Sequence, residues 1–338
     1  MALIRLEDVE AGRKKQCSEM IAQVVSPIVS SASAGPDLLP AEKPRERFDR
    51  LREEARREIQ TGRLQKALDL LEQALGIARA LGDAKLEALA ECNRAAVAIT
   101  TGEVLQHVPR LRDILMRNYS LDTSFAAAYN LAQAYESHKN YKKSLFYARI
   151  ARDRALTAEN SDFLAKSHTQ LGLSLLGESY FEEAREHFET SLELLGSGLN
   201  SFSVSPRISL GYCMIVLGRE REGMGLLYRC LRWLRRRGEK LFQSWAHLFL
   251  GCGHLELGRL RHAWLHVRRA LEIAEETGDD EAIKSALFML GEVERTAGDS
   301  QAAYACFRRM QDRFYPGQTD YAEVLALVGT SRVVNLRA

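Results

Sequence analysis

Eight small residues set the terms on which this chain can fold. Ala55, Ala95, Ala132, Gly172, Gly211, Gly251, Gly291 and Gly329 follow one another at intervals of 40, 37, 40, 39, 40, 40 and 38 residues. Twelve positions after each of the first seven stands a second marker: Ala67, His107, Ser144, Ala184, Gly223, Ala263 and Ala303. Four positions further on comes Leu71, Leu111, Ala148, Phe188, Leu227, Val267 or Phe307. Apolar residues recur at helical spacing within each unit, as in Leu171 and Leu175, then Phe181, Ala184, Phe188 and Leu192. Each unit therefore reads as two helices joined by a turn, with small residues where the two must approach closely. A lone helix pair cannot bury its apolar side, so neighbouring pairs must stack and share one core. The second unit fits least well, because His107 replaces the small residue and Pro109 falls inside the expected second helix. Turns such as Leu81–Gly82–Asp83 and Thr277–Gly278–Asp279 separate units. There glycine can take the left-handed C-cap, and aspartate can cap the next helix.

This two-helix pattern resembles the tetratricopeptide repeat family, in a long form of about 40 residues instead of the usual 34. The resemblance covers residues 45–338. It implies an all-α, right-handed α-solenoid of about seven helix-turn-helix repeats, whose first helices line a concave groove for a peptide or partner protein. Residues 319–335 match a first helix only and read as a capping helix. Residues 1–28 read as an amphipathic helical segment, and 29–44, rich in Ser, Ala, Gly and Pro, as a linker. An apolar face on such a tether needs cover, so self-association or autoinhibitory docking through 1–28 is expected.

The resemblance assigns the groove to fixed first-helix positions. They are Asn93; Tyr129, Gln133 and Glu136; Lys166 and Thr169; Ile208 and Tyr212; Trp245, Leu248 and Cys252; Phe288, Glu292 and Arg295. The alternative for several of these, Leu248 above all, is packing against the next helix. The Lys–Asn pair that the family's two-carboxylate clamp for chaperone tails requires is absent. Ile208, Tyr212, Leu248 and Cys252 suggest a partly apolar trough suited to an apolar helix or extended segment.

There is no glycine-rich phosphate loop and no GxSxG, and the GxG at Gly251–Gly253 falls inside an expected helix. His262 and His266 stand at i and i+4, a spacing that can hold a metal, but no Cys or carboxylate completes a ligand set. His247 and His254 occupy positions that pack between helices and read as buried, hydrogen-bonded imidazoles. The six cysteines are scattered without a CxxC and read as reduced thiols. Repeats fill nearly all of the 338 residues, which leaves little room for a catalytic domain. The expectation is no enzyme, no cofactor and no metal.

Charge narrows the partners. A net charge of +2 gives no field that would gather nucleic acid, and no apolar run approaches a membrane span or a secretory signal. The segment 229–240, RCLRWLRRRGEK, is locally basic. Residues 161–200 carry a net −5 and residues 201–240 a net +6. Stacked second helices would set Glu186, Glu189 and Glu193 beside Arg229, Arg232 and Arg236, so the segment reads as half of an inter-repeat pairing. The function expected is a non-enzymatic, cytoplasmic binding scaffold for a protein or peptide. The alternative is a peptide-switched regulator, similar to bacterial peptide-sensing regulators that add a helical bundle or DNA-binding domain, of which neither is read in this chain.

Overall fold

A computed structural model of the chain describes residues 43–60, 63–101, 104–200 and 202–327. The segment 1–28, most of the linker at 29–44, and residues 328–335 of the expected cap lie outside them. Fifteen α-helices follow one another, with no strand among the described residues. They are α1 Pro44–Gln60, α2 Leu64–Ala80, α3 Ala84–Thr101, α4 Val108–Arg117, α5 Leu121–Ser137, α6 Tyr141–Thr157, α7 Ser161–Gly177, α8 Phe181–Leu195, α9 Val204–Val216, α10 Glu220–Arg237, α11 Lys240–Glu256, α12 Leu260–Thr277, α13 Asp280–Ala297, α14 Ser300–Phe314 and α15 Tyr321–Leu327. The protein is an all-α stack of helical repeats. It divides into two compact units: one reaches Ser174 and includes Glu193–Gly196, and the other holds Leu175–Leu192 and the chain from Ser197 onward.

In the earlier unit α1 pairs with α2 and α5 with α6, while α3 packs on both α2 and α5. One side of α3 places Leu86, Leu89 and Ala90 against Phe48, Leu51 and Leu71. Its other side places Ala88, Cys92 and Ala95 against Leu111, Ile114, Ala127 and Leu131. A helix buried on two sides is what a stack of pairs requires. Farther along, Phe125 of α5 and Phe163 of α7 stack face to face, with centroids 4.0 Å apart. The misfit at the second unit has a simple resolution. Residues Val104–His107 form a short 3₁₀ turn, and α4 starts at Val108, which puts Pro109 in its first turn. A missing backbone N–H costs nothing there.

In the later unit α9 pairs with α10, α11 with α12 and α13 with α14, and the first helices α9, α11 and α13 lie against one another in sequence. The marker residues do what their spacing demands. A Cβ on Gly211 would meet Leu227 Cγ at 2.8 Å, one on Gly251 would meet Val267 Cγ2 at 2.4 Å, and one on Gly291 would meet Phe307 Cε1 at 2.5 Å. Gly223 lies even closer to α9, where a Cβ would come within 2.4 Å of the Gly211 carbonyl oxygen. After α14, Ala322 of α15 packs on Ala303 and Phe307, and its backbone N–H donates to Gln311 Oε1 at 2.8 Å.

The turns follow the expected chemistry. Gly82 and Gly278 have φ of 62° and 66°. Asp83 Oδ1 accepts from Leu86 N at 3.1 Å, and Asp279 Oδ1 accepts from Ala282 N at 3.1 Å. Elsewhere the left-handed position is held by residues with side chains, among them Lys139 and Glu159 at φ of 56° and 50°.

The expected charge pairing between repeats takes other partners. Arg185 bonds Glu182 and Glu189 within α8, and no described ion pair joins Glu186 or Glu189 to Arg229, Arg232 or Arg236. An arginine one turn away satisfies the carboxylate before a neighbouring helix can. One ion pair does cross repeats farther along, from Arg309 of α14 to Glu275 of α12, while Lys240–Glu276 and Arg313–Asp280 each close a single helical hairpin. In RCLRWLRRRGEK, Leu231 and Leu234 are buried, and Arg237 lies over the Trp233 ring at 4.9 Å.

Candidate functional site: first-helix faces

The groove positions fall on two rows, one in each unit. The row in the earlier unit runs across α3, α5 and α7. Asn93, Gln133, Glu136, Lys166 and Thr169 are half-buried there. Tyr129 is not: it is buried and stacks on Phe125 at 5.6 Å, and burial pushes its phenol well above the usual range. Tyr129 is a core residue. Thr169 turns its hydroxyl to the Ala165 carbonyl of its own helix at 3.2 Å. Lys166 is held down to about 8, because burial disfavours the ammonium more than the Asp162 charge restores it. Gln133 differs from the rest, since its Oε1 is buried with no hydrogen-bond partner. A buried acceptor left unpaired costs about 1–3 kcal/mol.

Below this row is a layer of polar groups, of which the sequence marked only Ser144, and that for its small size. Asn130 donates from Nδ2 to the Cys92 carbonyl at 2.7 Å and ties α5 to α3. The Ser144 and Ser174 hydroxyls meet at 2.7 Å, and Ser174 donates to the Gln170 carbonyl at 2.9 Å. The only signal available beforehand was polarity at positions whose helical phase is apolar.

The row in the later unit lies on α9, α11 and α13. Trp245, Cys252, Phe288 and Arg295 are half-buried, whereas Ile208, Tyr212, Leu248 and Glu292 are buried. Tyr212 is wholly enclosed, stacked on Phe249 at 4.2 Å and edge-on to Phe181 at 6.2 Å. The apolar trough expected around Ile208, Tyr212 and Leu248 is therefore the seam between adjacent first helices. Large apolar side chains on that seam bury themselves against the next repeat. The remaining polar groups are engaged as well. Trp245 Nε1 donates to Asp279 Oδ2 at 3.1 Å, and Arg295 holds Glu292 at 2.7 Å. Burial lifts the Cys252 thiol to about 12, which keeps it protonated at neutral pH.

Other chemistry is sparse. Among the described residues no three His, Cys, Asp or Glu side chains are placed to hold a metal, and no helix is long and apolar enough to cross a membrane. His247 and His254 are buried and hydrogen-bonded, as their positions require.

These features define a tetratricopeptide-like fold of packed helical hairpins, and solved structures place it among repeat proteins. A Rap protein complexed with Competence and Sporulation Factor superposes with a TM-score of 0.65 at 14% identity, over 81% of this chain and 76% of that one. NprR in complex with its cognate peptide NprX gives 0.62 at 11% identity, over 86% and 83%. A tetratricopeptide repeat protein from Parabacteroides merdae gives 0.53 at 14% identity, over 83% and 98%. Searches against family models and curated proteins find no match to this sequence.

Proposed function

We propose that this chain is a non-enzymatic peptide-binding module, and that the polar row on α3, α5 and α7 is where the peptide lies. The observation that carries this reading is Gln133, a first-helix carboxamide whose buried Oε1 has no partner. The side chain is only half-buried, so a turn of its carboxamide would offer the oxygen to a peptide N–H, and a buried polar group left open in this way calls for such an explanation. Lys166, still mostly charged at neutral pH, would meet a carboxylate or carbonyl of the same ligand. The likeness in fold to NprR, crystallised with a peptide, supports the reading. Five described cysteines stand unpaired, in keeping with a reducing, cytoplasmic compartment.

The finer reading is a peptide-switched regulator, in which occupancy of the row changes how the repeats pack. NprR is a quorum sensor, and the likeness in fold to it favours this reading as well. The test is a peptide-library screen on the full chain, read by fluorescence anisotropy, with Gln133→Ala and Lys166→Ala as variants. Binding that drops at least tenfold in both variants, with helicity intact, is the expected result. Binding indifferent to both would move the site elsewhere. Small-angle scattering with and without the selected peptide separates a switch, which changes compaction, from a passive scaffold, which does not.

A further inference from the structure

One cluster of titratable side chains lies apart from the polar row, in the later unit where α10, α11 and α12 meet. Arg235 Nη2 is 3.1 Å from His247 Nε2. His247 Nδ1 is 2.9 Å from His266 Nδ1. His266 Nε2 is 3.1 Å from the Tyr228 hydroxyl, which is 2.9 Å from His254 Nε2.

The protons on this chain can be placed one after another. A guanidinium has donors only, so His247 Nε2 must accept. A neutral His247 then carries its proton on Nδ1 and donates it to His266 Nδ1. His266 is protonated on Nε2 instead, and donates to the Tyr228 oxygen. The phenol in turn donates to His254 Nε2. His254 keeps its proton on Nδ1, which is buried and without a partner. A single arginine thereby fixes the tautomers of three imidazoles on two helices.

Each link has one donor and one acceptor, so the ring nitrogens of His247 and His266 have no room for a further proton. A proton on His266 Nδ1 would face the His247 Nδ1–H across 2.9 Å. A proton on His247 Nε2 would face the Arg235 guanidinium. The surrounding charges offer no relief. Arg235 and Arg269 act on His247, Arg259 and His262 on His254, and Arg235, His254 and His262 on His266. Burial and these neighbours hold His247 down to about 3 and His266 to about 4, and lower His254 as well.

We propose that the chain Arg235–His247–His266–Tyr228–His254 is an acid-sensitive latch that holds α10, α11 and α12 together at neutral pH and lets them part as the pH falls toward 5. The direction follows from linkage. These imidazoles bind protons more weakly when packed than when released, so released helices take up protons first. Packing is unaffected well above pH ~6.5 and is lost progressively below it, until the packed imidazoles themselves titrate. Between pH 7.5 and 5, each strongly depressed histidine raises the opening constant roughly 30-fold, and two together raise it on the order of 10³-fold.

The test is hydrogen exchange on the full chain at pH 7.5 and 5.0, corrected for intrinsic rates, with the double variant His247→Gln, His266→Gln beside the wild type. Amides of α10–α12 in the wild type should lose protection by a factor of 10²–10³ in acid, and those of the variant by less than tenfold. Equal losses in both proteins would overturn the latch. If the variant does not fold, a proton NMR titration of the wild-type imidazoles decides. Two histidines that stay neutral through pH ~6 and take up protons only together with the loss of α10–α12 protection support the proposal, and ordinary titration near pH ~6.5 by all of them rejects it.

Discussion

Gly291 and Phe307 touch across the α13–α14 hairpin so closely that a β-carbon on Gly291 would sit 2.5 Å from the edge of the Phe307 ring. The ring is fully buried and cannot swing away. Gly291→Ala should therefore destabilise the later unit by about 1–3 kcal/mol, despite the higher helix propensity of alanine. Adding Phe307→Leu should recover part of that loss, because the smaller side chain leaves room for the methyl group. Denaturant unfolding of the two single variants and the double variant measures the coupling, and strictly additive losses would contradict the contact.

Tyr212 gives a sharper distinction between core and groove. Its ring is enclosed between Phe249 and Phe181. Tyr212→Ala should cost about 3–5 kcal/mol of stability. At temperatures where the variant is still folded, peptide affinity at the polar row should match the wild type.

Asp279 serves two masters, the first turn of α13 through Ala282 N and the indole of Trp245. Asp279→Ala removes the helix cap, worth about 1 kcal/mol, and leaves the indole N–H without its partner. A fall in melting temperature should come with altered tryptophan emission. Asp279→Asn, which can still cap, should keep most of the stability.

Lys166 offers a pH signature. Burial holds its ammonium down to about 8. Acylation of Lys166, followed by mass spectrometry across a pH series, should reach half its maximal rate near that value, while exposed lysines lag about two pH units behind. If the ammonium grips the peptide, affinity should be full at pH 7 and should fall as the pH rises through about 8.

The repeat was legible because its determinants are steric and local. Gly211, Gly251 and Gly291 each sit opposite the residue sixteen positions on, and spacing alone reports such a contact. The caps at Asp83 and Asp279 were legible for the same reason. The groove was less so. Tyr212, Ile208 and Tyr129 share the helical phase of Gln133 and Trp245, and phase cannot tell a residue that faces a ligand from one that faces the next repeat. That distinction depends on how near the adjacent first helix stands, which is set by residues some 40 positions away. The histidine chain lay deeper still. The sequence shows imidazoles at helical spacing, but Arg235 and Tyr228, which decide where their protons reside, come from another helix.

Lys139 and Glu159 hold the left-handed backbone that Gly82 and Gly278 hold elsewhere, at a strain of roughly 1 kcal/mol each. Both are exposed, and they bracket α6, each two residues beyond one of its ends. A glycine corner presents bare backbone and says nothing to an approaching molecule. These two corners instead display opposite charges at opposite ends of one helix. The rim of the earlier unit thus carries a polarity of its own, written at corners where the fold would otherwise prefer silence.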